Sequence, residues 1–69
     1  MDLTPEQHQL LQTIFNASRT GHPCPAHVVA AASDFIEAGI VLMRGSADLS
    51  IPAEVQQALA LSGQPLKTR

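Results

Sequence analysis

Glycine and proline interrupt this chain so regularly that only short elements can form. Gly21, Gly39, Gly45 and Gly63 mark four stops or turns, and Pro5, Pro25 and Pro52 mark three starts. Proline suits the first position of a helix, where its missing N–H costs nothing. Glycine accepts the left-handed backbone that ends one. The 69 residues therefore read as one small domain, too short for a doubly wound sheet or a barrel enzyme. No apolar run approaches the ~18 residues of a membrane span. Asp2 and Glu6 stand where a secretory signal would carry basic residues, so none is expected.

Thr4-Pro5-Glu6-Gln7 predicts a capped helix over residues 5–20, with Gln7 placed for a capping box. Leu10, Leu11, Ile14 and Phe15 share one face of it, and Gly21 stops it. His22-Pro23-Cys24-Pro25 is a stiff connector, because each proline pushes its predecessor out of the helical region. A second helix follows over about residues 25–38, with Val28, Ala31, Ala32, Phe35 and Ile36 inward. His27, Asp34 and Glu37 point outward, and Ser33 is placed to cap a separate short helix. Ile40–Met43 reads as a strand, and Asp48-Leu49-Ser50-Ile51 alternates as a half-buried strand does. With Arg44–Ala47 between them, a β-hairpin results. A third helix runs from Pro52 to about Leu61 with Ile51, Val55, Ala58 and Leu59 inward, and residues 64–69 form a loose basic tail. The expected fold is α+β, ordered helix–helix–hairpin–helix over residues 1–63.

Such a chain builds a thin core. Ten residues are Ala, only two are aromatic, and charged residues make up 14%, well below the ~25% of ordinary globular chains. Much of the surface is therefore uncharged, or belongs to an interface. A lone Cys24 leaves no intramolecular disulfide and fits a reducing, cytoplasmic setting. A modest monomer, a homodimer and a chain completed by a partner all satisfy this composition.

Chemistry is sparse. His22, Cys24 and His27, with His8 nearby, supply ligand types suited to zinc. They form one cluster, whereas structural zinc sites draw on two separated pairs. The Cys24-Pro25 pair with nearby histidines also resembles the short motif of haem-sensing proteins. A proline-stiffened turn is the preferred reading, with no metal or cofactor expected. Pro23 and Pro25 remove two local N–H donors that an oxyanion hole beside Cys24 would need, and so small a core gives little room for a water-excluding cleft. An enzyme is not expected.

Residues 35–44, Phe-Ile-Glu-Ala-Gly-Ile-Val-Leu-Met-Arg, followed by Leu49-Ser50-Ile51-Pro52, resemble the junction of winged-helix domains where the third helix enters the wing. The resemblance implies a reduced winged-helix-like arrangement. It further implies DNA binding, with a helix in the major groove and Arg44 near phosphates. The net charge of −2, and a second helix that exposes His27, Asp34 and Glu37, weigh against DNA. The preferred expectation is a non-enzymatic regulator that binds a larger protein, as an inhibitor or adaptor of a machine such as the transcription apparatus. The alternative is a dimeric winged-helix-like DNA-binding regulator. Candidate interface residues are Val41 and Met43, on the strand face opposite Ile40 and Leu42, with Arg44 at the hairpin.

Overall fold

The computed structural model describes residues 3–45 and 47–67. Helix α1 spans Pro5–Thr20. Its start is a complete capping box: the Gln7 N–H donates to Thr4 Oγ1 at 3.2 Å, and the Thr4 N–H donates to Gln7 Oε1 at 3.0 Å. Two donors that the helix leaves without internal partners are thereby satisfied. Leu11, Ile14 and Phe15 are its buried residues, and the Arg19 guanidinium lies 5.7 Å from the centre of the Phe15 ring.

The expected second helix is two helices, α2 over Ala26–Ala31 and α3 over Ser33–Glu37. The break falls at Ala32, whose ψ of 1° lies outside the α range. Its N–H is shared between the carbonyls of Val28 and Val29, at 3.0 and 3.2 Å, as happens at helix ends. Ser33 is the first residue of α3, with Ala32 in the capping position, and no side chain caps it. Val28, Ala32 and Phe35 are buried across the break, while Ala31, expected inside, is exposed.

Helix α3 closes with a double bond pattern. The Gly39 N–H donates to Ile36 O at 3.2 Å and the Ile40 N–H to Phe35 O at 2.9 Å. Gly39 makes this possible with a φ of +77°, a conformation that costs other residues roughly 1–2 kcal/mol. The same pattern ends α1 and, after Leu61, the last helix. Phe35 O also accepts the Val41 N–H at 3.2 Å. Both amides that would have begun the strand at Ile40 are thus committed to the helix end.

Strand β1 accordingly covers Leu42–Arg44, later than expected, and pairs antiparallel with β2, Asp48–Ser50. The register sets Leu42 against Ser50, Met43 against Leu49 and Arg44 against Asp48. Arg44 is in the strand, so the connection is three residues long instead of the expected four. Its middle residue, Ser46, lies outside the described residues. Helix α4 spans Ala53–Leu61 after Pro52, and Gln56 Nε2 donates to Ile51 O at 2.9 Å to hold its entry.

The core joins Leu11, Ile14 and Phe15 of α1 to Cys24, Val28, Ala32, Phe35, Val41, Leu49, Ile51 and Leu59. No polar side chain is buried among the described residues. Helix α1 packs on β2 and on α2, and the Cys24 N–H ties the connector to the hairpin by donating to Ala47 O at 2.9 Å. The radius of gyration is 11.0 Å, matching the ~11 Å of a compact body of this length.

Residues 64–67 are held rather than loose. Gln64 bonds Leu3 through both halves of its amide, accepting from the Leu3 N–H at 2.9 Å and donating to Leu3 O at 2.8 Å. Gln12 does the same to Lys67, at 2.7 and 2.8 Å. Leu66 packs against the core between these ties. Thr68 and Arg69, the rest of the expected tail, lie outside the described residues.

Candidate protein-binding site

Strand β1 is the outer member of a two-stranded sheet. One edge pairs with β2, and no described strand lies on the other. Because α1 packs on β2, the side chains of β1 are left at the margin of the core. Leu42 is 46% exposed and Met43 47%, and Arg44 is exposed beside them. Fully burying a Leu or Met is worth about 1.5–3 kcal/mol, so two half-exposed neighbours are a source of binding energy.

Directly opposed residues of an antiparallel pair point to the same face. Met43 therefore shares the face of Leu49, which is completely buried. One further step of the register brings Val41 opposite Ile51, both buried. Leu42 and Arg44 share the other face with Ser50 and Asp48.

This corrects the expected interface. Val41 is 1% exposed and belongs to the core, so its side chain is not available to a partner. Leu42, expected on the inner side, is the exposed neighbour of Met43. The reversal follows from the turn. A four-residue turn over 44–47 would oppose Leu42 to Leu49, whereas the three-residue turn opposes Met43 to Leu49. A slip of one residue exchanges the two faces of a strand. The signal for Leu42 was present in the Leu49–Ile51 alternation, but reading it required the turn length.

A polar groove of about 490 Å³ adjoins the hairpin, lined by Ser18, His22, Pro23, Arg44, Asp48 and Ser50 among others. His22 Nδ1 lies 2.8 Å from Thr20 Oγ1, which fixes its ring beside the end of α1. The weak metal candidates are not brought together. Cys24 is buried, while His22 and His27 are exposed, and His8 Nε2 lies 3.2 Å from Pro65 O. No group of three metal-binding side chains converges among the described residues. Among the described residues, no helix is long and apolar enough to cross a membrane.

Comparison with protein-family models, with curated proteins and with solved structures finds no match to this chain.

Proposed function

We propose that this chain is a regulatory protein that acts by binding a larger protein through β1, with Leu42 and Met43 as apolar anchors and Arg44 as the polar contact. The observation that carries this reading is the consecutive exposure of these three residues on an outer strand. Two features support it. The core closes around Leu11, Ile14, Leu49 and Leu59, all fully buried, so the exposed pair is surplus to the fold. An open strand edge also offers main-chain groups to an added strand, with side chains on alternate faces to select it.

The role is that of an inhibitor or adaptor, with the transcription machinery as the first large assembly to test. The decisive experiment is affinity capture from lysate with the wild-type chain and with Met43→Asp in parallel. A specific protein retained by the wild type and lost by a folded Met43→Asp supports the reading; equal retention by both overturns it.

A second reading, a dimeric winged-helix-like DNA-binding regulator, draws on the exposed Arg44 beside His22 in the hairpin groove. Asp34 and Glu37, exposed on α3, oppose it. Fluorescence anisotropy with mixed-sequence duplex DNA separates the two readings, because phosphate contacts weaken steeply with salt and an apolar interface does not. Micromolar binding at low salt that collapses at physiological salt would favour DNA.

A further inference from the structure

A second surface, on the other helices, has its own chemistry. An open cleft of about 360 Å³ runs between α1 and the α2–α3 pair, lined by Glu6, Gln7, Leu10, Ala31, Asp34 and Phe35. Its volume falls within the ~300–1,000 Å³ of ligand clefts. Leu10 and Phe35 give it an apolar floor that also touches the core. Ala31 leaves the wall open: although on an apolar stripe in the sequence, it is exposed, and its single methyl fills none of the space beside Phe35. Glu6 of α1 and Asp34 of α3, both exposed, line the cleft together with this floor.

The described cations are placed elsewhere. Arg19 lies over Phe15, Arg44 lines the hairpin groove, and Lys67 lines a separate groove with Leu3, Pro5 and His8. An apolar floor between two carboxylates is complementary to an apolar side chain with a cationic neighbour. We propose that this cleft is a docking site for a basic amphipathic segment of a partner protein, which lays a Leu or Phe side chain on Leu10, Ala31 and Phe35 and sets Lys or Arg against Glu6 and Asp34. Charge complementarity selects the occupant here, since an acidic or purely apolar segment would leave two carboxylates facing it without compensation. The site is independent of the β1 reading and shares no residue with it.

The test uses the full chain and a short fluorescein-labelled amphipathic peptide of leucine and lysine, with a leucine–glutamate peptide as the counterpart. The lysine peptide is expected to bind and the glutamate peptide not to. Glu6→Gln combined with Asp34→Asn is expected to weaken binding ~10-fold, the loss of one to two charge-assisted contacts. Asp48→Asn with Glu54→Gln changes the net charge equally and is expected to leave affinity within about twofold. Ala31→Trp fills the cleft from an exposed position and is expected to block the peptide in a chain whose circular dichroism is unchanged. Met43→Asp is expected to bind as the wild type does, which keeps this site and β1 distinguishable. Equal losses in the two charge-matched pairs would show that net charge alone attracts the peptide and would overturn the proposal. So would absence of binding to the folded wild type, or self-association of the chain that excludes the peptide.

Discussion

Met43 and Leu49 face each other across the hairpin on the same side of the sheet, yet Leu49 is fully buried and Met43 is 47% exposed. Leu49 therefore gives its whole side chain to the core, and Met43 only about half of its own. Leu49 lies on β2, the strand on which α1 packs; Met43 lies on β1, at the margin of the core.

Leu49→Ala is expected to destabilise the fold by about 2–5 kcal/mol, since it leaves a cavity at the centre of the core. For a domain of this size that is most of the stability. Met43→Ala is expected to cost less than about 1 kcal/mol, as a surface change does. Urea titration followed by circular dichroism compares the two. Equal losses would place Met43 in the core and remove it from the interface.

Val41 and Leu42 form the second contrast. Val41→Ala removes two buried methyl groups and is expected to cost about 2 kcal/mol. Leu42→Ser is expected to change stability by about 0.5 kcal/mol or less while reducing partner retention. The reverse order in thermal melts would mean that the strand faces are exchanged.

Gly39 carries the closure of α3 with its φ of +77°, and a Cβ placed there meets no atom within 4 Å. Gly39→Ala is thus expected to cost about 1–2 kcal/mol from backbone strain alone. The same cost from Gly39→Leu, measured by chemical denaturation, would confirm that no packing term is involved; a much larger one would show a hidden contact.

The main chain of Lys67 is held by the side-chain amide of Gln12, 55 residues away. Gln12→Ala is expected to speed hydrogen exchange at the Lys67 amide while leaving the amides of α3 protected. The stability loss should be about 1–3 kcal/mol, for two bonds at roughly 0.5–1.5 kcal/mol each. An unchanged Lys67 exchange rate would show that Gln12 does not hold the strap.

What the sequence by itself determined is local. Thr4, Pro5 and Gln7 write the start of α1 within one turn, and Gly21 writes its end, because a cap needs only residues a few positions apart. Gly39 and Gly63 likewise mark true helix ends, and Leu11, Ile14, Phe15, Val28 and Leu59 were recognisable as core from their helical spacing. What only the tertiary structure decided is how these pieces meet. Alternation shows that Val41 and Met43 share a face, but it does not say which face the core covers. That depended on a turn shorter by one residue, and on Phe35 O taking the amides of Ile40 and Val41 before the strand could use them. The open wall at Ala31 and the strap on Gln12 are of the same kind. Each arises where one segment packs on another distant in the chain, and short-range periodicity carries no record of that contact.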